Sequence, residues 1–160
     1  MVEIAEWLDD MASCPQGEWP YGKQNLWVYS DTGFGKTTMC MEIRKRRYCA
    51  AACYGEGFMD WLDDRAQCIM FDEFDGDFPF STFLTITGGG FGTFRVKGSQ
   101  MLWERRIPTI VCAQHPPAYY YPRVSFSRQQ ALLRRFKVVQ LTQPIKIKFV
   151  ERDNEENGNE

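Results

Sequence analysis

The stretch "VYSDTGFGKTTMCMEI", positions 28–43, constrains this chain more than any other. It reads as a short apolar strand, a loop carrying Gly33 and Gly35, and a helix that begins at a lysine. Such a layout points backbone N–H groups and a helix N-terminus at one spot, which suits a phosphate group. The pattern G-x-x-x-x-G-K-[ST] asks for glycine at position 30, where this chain has Ser30. Serine is a mild replacement there, because the start of the loop restricts side-chain room least. Ser30, Asp31, Thr32, Gly33, Phe34, Gly35 and Thr38 form the expected cradle. Lys36 is expected to reach the β- and γ-phosphates of ATP, and the Thr37 hydroxyl to ligate Mg2+.

The rest of the chain fits an α/β fold around that loop. "NLWVYS", "AQCIMFDEFDG" and "PTIVCAQHPP" are apolar runs of strand length, separated by helical patterns, which implies a parallel sheet. Ligands of such sheets sit beyond the strand C-termini. Lys36, the pair Asp72-Glu73, and Gln114 each follow one of these strands. Asp72 is placed to hold Mg2+ through water, and Glu73 to act as general base on an attacking water.

Elsewhere, Ile4, Trp7, Leu8 and Met11 share one face of a helix over 2–13. The run "RKRR" at 44–47 is either a basic helix end or a nuclear-localisation patch. "FMDWLDD" is expected as a turn or short helix, and "FSTFLTIT" as helix or strand. "GGGFGTFRVKGSQMLWERRI" has two alternating runs about "KGS", the pattern of a β-hairpin. "SRQQALLRRF" reads as a helix, with "KVVQL" and "IKIKFV" as closing strands. The organisation is an N-terminal helix and linker over 1–20, an ATPase domain over 21–150, and a disordered acidic tail over 151–160.

With 160 residues, one domain is expected. No apolar run approaches the roughly 18 residues of a membrane helix, and the acidic N-terminus is unlike a signal peptide, so a soluble intracellular protein with no membrane partner is expected. The net charge of −2 hides an asymmetry: positions 101–150 carry nine Lys/Arg and one acid, net +8, against −6 before and −4 after. That surface is either a solvated basic face or a site for a polyanion. The six cysteines are expected as free thiols. Cys49, Cys53, Cys112 and His115 could be imagined around zinc, but their spacing matches no recognised zinc motif.

Taken in order, the loop, "FDEF", the "VKG" hairpin, an apolar strand ending in a polar residue, and "LLRRF" resemble a superfamily 3 helicase domain. The chain looks most like that domain in replication initiator (Rep) proteins of circovirus-like, circular single-stranded-DNA viruses, over about Gly22 to Leu141. The resemblance implies a P-loop NTPase of AAA+-like type with a central parallel sheet and a DNA-contacting hairpin, bearing Lys97 and, less directly, Arg95. It implies a γ-phosphate sensor at Gln114, where the family has asparagine. It implies an arginine finger from Arg134 or Arg135, which are adjacent and cannot both serve. Its further implications are ATP and Mg2+ as cofactors, single-stranded DNA as partner, a homo-oligomeric ring of hexamer type, and a host nuclear setting. The family's nicking domain needs a histidine pair, and this chain has one histidine, so a separate or full-length Rep nicking protein is expected as a partner. RNA as the tracked strand, and a nucleotide-binding module that joins Rep without unwinding, are the alternatives. A small-molecule kinase would not need the hairpin.

Overall fold

The computed structural model describes residues 2–14, 19–20, 22–46, 50–51, 53–55, 58–60, 68–88, 92–96, 98–103 and 107–146. Its elements are α1 (Val2–Ser13), β1 (Asn25–Tyr29), α2 (Lys36–Arg46), β2 (Ala50–Ala51), β3 (Cys53–Gly55), β4 (Phe58–Asp60), β5 (Ile69–Phe74) and α3 (Phe80–Gly88), then β6 (Gly92–Val96), β7 (Ser99–Trp103), β8 (Thr109–Ala113), α4 (Pro117–Tyr120), α5 (Phe126–Leu133) and β9 (Phe136–Gln140).

Five strands form one parallel sheet in the order β2-β5-β8-β1-β9. The two-residue β2 is only an edge, so four strands carry the sheet. β8, between β5 and β1, is buried along its whole length. Successive side chains of a strand point to opposite faces, and each central strand supplies both. Leu26, Val28, Met70, Ile110 and Cys112 pack on the α1/α2 side with Ile4, Trp7, Met39 and Ile43. Trp27, Ile69, Phe71 and Val111 pack on the other side with Phe83 of α3 and Leu132 of α5. Two covered faces explain why these strands read as continuous apolar runs.

Trp27 is the centre of the second face. Its ring meets Phe74 at 5.3 Å, Phe136 at 5.6 Å and Phe83 at 6.1 Å, all near edge-on. Its indole N–H donates to the His115 carbonyl at 3.0 Å, which ties the core to the loop after β8.

Some sequence expectations resolve or change. "FSTFLTIT" is helical: Thr85 and Thr87 donate their hydroxyls to the Ser81 and Phe83 carbonyls, which leaves the buried Thr87 hydroxyl paired. "FMDWLDD" is not a turn or helix at its start, because Phe58–Asp60 pairs with β3 as an antiparallel strand; positions 61–64 lie outside the described residues. "IKIKFV" does not open as a strand, because Ile145 gives its N–H to the Phe34 carbonyl at 2.9 Å instead of to a ladder. The acidic tail lies outside the described residues. β6 and β7 pair as the expected hairpin, with Val96 opposite Ser99.

Trp27→Phe replaces the indole by a smaller ring and deletes the N–H, so the His115 carbonyl loses its donor and the core loses packing. The lost hydrogen bond alone is expected to cost about 1–3 kcal/mol, read from urea unfolding; an unchanged midpoint would show that neither the bond to His115 nor the larger ring contributes.

Candidate active site

The C-terminal ends of β1, β8 and β5 lie side by side, because β8 pairs with both neighbours. Beyond β1, Ser30 extends the ladder by donating its N–H to the Ala113 carbonyl at 3.2 Å. The chain then turns through Gly33 and Gly35, at φ +87° and +88°, a left-handed conformation that side chains resist. Gly35 accepts the Met39 N–H at 2.9 Å and so opens the first turn of α2.

Lys36 bends back across this loop. Its ammonium donates to the Ser30 carbonyl at 2.8 Å, the Ser30 hydroxyl at 2.6 Å and the Asp31 carbonyl at 2.9 Å. The Ser30 hydroxyl in turn donates to the Asp31 carbonyl at 2.9 Å. Position 30 is therefore not idle. The hydroxyl of the serine that departs from the loop pattern is one of three acceptors holding the lysine, and Ser30 is buried. Burial lowers the Lys36 pKa from its ordinary value, an effect that nearby Cys112, Asp31 and Asp72 oppose. Asp31, Thr32, Gly33, Thr37 and Thr38 are exposed along the rim, and Phe34 is half-buried.

The acidic strand meets the loop through one contact. Thr37 donates its hydroxyl to Asp72 Oδ1 at 3.1 Å. The same oxygen accepts the Glu73 N–H at 3.0 Å. The pairing of β5 with β8 slips between Phe71 and Phe74. Glu73 takes up the irregularity with φ +53°, the one non-glycine residue at positive φ among those described. This bulge leaves Asp72 and Glu73 exposed and returns Phe74 to the core. A hydroxyl and a carboxylate oxygen held side by side are hard donors, which fit Mg2+.

Gln114 follows β8 between the other two strand ends and is exposed. Its N–H and that of His115 each lie 3.3 Å from the Tyr120 phenolic oxygen, which accepts from both. Burial raises the Tyr120 pKa, so the phenol stays protonated. Its ring rests on Phe74 at 5.1 Å and Trp27 at 6.0 Å. Gly76 leaves room for it: a Cβ there would come within 2.9 Å of the ring. Sequence reasoning missed this residue; its signal was an aromatic triplet placed directly after a proline-stopped strand. Ile145 was missed too, although it lies against the loop at Phe34 and Gly35.

Two groups of predicted residues stand elsewhere. Arg134 and Arg135 precede β9 at the opposite end of the sheet, where their carbonyls accept from Gln24 and Asn25. A strand of five residues, about 16 Å at ~3.3 Å per residue, separates that end from the loop. The Arg135 guanidinium donates to the Leu84 carbonyl and covers Gly88, whereas Arg134 is exposed. Arg95 lies on β6 of the hairpin, and Lys97 lies outside the described residues. His115 stacks on Tyr119 at 3.8 Å.

No protein-family model matches this chain, and no curated protein matches it. Among solved structures, it is similar to one described as a "putative primosome component" from Streptococcus pyogenes serotype M3, with a TM-score of 0.52 and 12% identity over 92% of this chain and 81% of that one. At that identity the likeness is one of fold. No helix among the described residues is long and apolar enough to cross a membrane.

Ser30→Gly removes one acceptor from the Lys36 ammonium. Hydrogen bonds to charged groups contribute about 1.5–3 kcal/mol, so a lysine with one tether fewer should turn to a phosphate more readily. Nucleotide affinity is expected to rise by ~10-fold, measured by titrating a fluorescent ATP analogue; equal or weaker binding would contradict the tether.

Proposed function

We propose that this chain is a Mg2+-dependent ATPase of superfamily 3 type that acts on single-stranded DNA in viral rolling-circle replication. The observation that carries the reading is the contact between Thr37 and Asp72, which joins the glycine loop to the acidic strand at the sheet's C-terminal edge. In this reading the loop N–H groups and Lys36 bind the phosphates of ATP. Thr37 and Asp72 would hold Mg2+, which would supply neutralisation of phosphate charge when bound. Glu73 takes the proton of the attacking water, and the bulge that aims it into solvent supports that role. Gln114 fixes the water or the γ-phosphate through its amide, on a loop braced by Tyr120.

Arg134 is the finger in this proposal, and it serves the site of a neighbouring copy. Its place at the far end of the sheet and its exposure support action across an interface; Arg135 is already engaged by α3. A homo-oligomeric ring, with a hexamer as the family expectation, follows from that arrangement. The hairpin of β6 and β7, with Arg95 and Lys97, faces the DNA phosphates in the channel. A separate Rep protein supplies nicking, in the host nucleus.

A second reading is a nucleotide-binding module that joins a replication assembly without unwinding. The fold likeness to a protein described as a primosome component favours it. The two readings part on turnover: the motor's hydrolysis rises with single-stranded DNA and falls by ~10²-fold or more in Glu73→Gln, while the module binds nucleotide with little turnover under either condition.

Arg134→Ala is expected to bind ATP and stop hydrolysis, and Arg135→Ala to lose stability first. Mixing Arg134→Ala with Lys36→Ala at constant total protein should restore hydrolysis, because some interfaces then pair an intact loop with an intact arginine. No recovery at any ratio, with both proteins assembled, would rule out the shared site.

A further inference from the structure

Beneath the glycine loop lies a pair of cysteines that the ATPase reading does not use. Cys40, on the second turn of α2, and Cys112, near the end of β8, bring their sulfurs to 3.5 Å of each other. Both are buried, with Cys112 at 0% exposure and Cys40 at 4%. An Asp72 carboxylate oxygen completes a set of three donor atoms that all lie within 4.8 Å of one another.

The sulfur separation is informative. A disulfide needs about 2.05 Å. Two thiolates on one tetrahedral zinc, at about 2.3 Å each, stand about 3.8 Å apart. The observed 3.5 Å, the contact of a thiol–thiol hydrogen bond, needs little adjustment to reach the second geometry and cannot be the first. Two soft sulfurs and one carboxylate suit zinc and disfavour Mg2+, which demands oxygen ligands. Asp72 is exposed, so an ion can enter from its side.

We propose that Cys40, Cys112 and Asp72 form a binding site for a thiophilic divalent cation of the zinc class, with water in the fourth position, and that its occupancy withdraws Asp72 from Thr37 and from Mg2+. Each thiol releases its proton to solvent as it coordinates. The site itself is independent of the nucleotide reading; the consequence for hydrolysis rests on that reading. Of the zinc candidates drawn from sequence, Cys49 lies outside the described residues; among the described residues, the fold brings Cys40 and Asp72 to Cys112.

Cobalt(II) is the probe, added to reduced, metal-stripped protein. A thiolate-to-cobalt charge-transfer band saturating at one ion per chain is expected. Cys40→Ala and Cys112→Ala should each weaken cobalt binding by ~100-fold or more, beyond what losing a ligand's supporting partner costs. Asp72→Asn should keep the band and weaken binding. Cys14→Ala and Cys68→Ala should leave it unchanged. Zinc at band-forming concentrations should inhibit hydrolysis, and added Mg2+ should relieve that inhibition. Absence of the band in folded, reduced protein overturns the site, as does a band that survives in both Cys40→Ala and Cys112→Ala. Should a buried-cysteine variant misfold, Asp72→Asn decides, and undiminished cobalt affinity there overturns the three-ligand set. The two readings separate cleanly: a band without ATP binding supports the metal site and sinks the ATPase, and ATP turnover without a band does the reverse.

Discussion

The structure depends on one buried indole. Trp27 sits mid-strand on β1, among Phe74, Phe83 and Phe136, which come from three other elements. Burial of large aromatic rings is the strongest apolar contribution a small sheet protein has, and here it is concentrated where the glycine loop begins. The same indole reaches the loop after β8 through its N–H. Two of the three strand ends that make the site are thus referred to a single rigid body. The third, β5, joins through Phe74, which packs on Trp27 directly after the exposed acids. Packing on one face of the sheet therefore sets the spacing of polar groups at its edge.

Several polar groups of this edge are satisfied within it. Lys36 is bound by the loop it is expected to serve, Thr37 by Asp72, and the N–H groups of Gln114 and His115 by a phenol. Little of this is free polar surface awaiting a ligand. A phosphate that enters must compete with protein acceptors for the lysine, so affinity reflects the difference between two sets of hydrogen bonds and not the sum of new ones.

Much of this architecture was legible in the residues. Continuous apolar runs marked the buried parallel strands, and glycine placement marked the left-handed turns at Gly33 and Gly35. Local pattern failed where long-range partners decide. Nothing near Ile145 says that its N–H prefers Phe34 to a strand. Three residues of "FMDWLDD" become a strand only because β3 lies alongside. Ser30 looked permissive because a loop pattern records the backbone and not the reach of Lys36. The cysteine pair was invisible for a similar reason: Cys40 and Cys112 are 72 residues apart, and only the crossover from β1 through α2 places them together.

The backbone of Glu73 has a consequence for how this chain tolerates change. A non-glycine residue at φ +53° costs about 1–2 kcal/mol, and glycine would relieve it. Selection for thermal persistence alone would therefore drift toward glycine at this position. Such a variant would resist heat at least as well and would carry no carboxylate at the bulge. A library sorted only by folding would rank it highly, and a library sorted by chemistry would discard it. The strain at position 73 thus marks where durability and the proposed catalysis pull one residue in opposite directions.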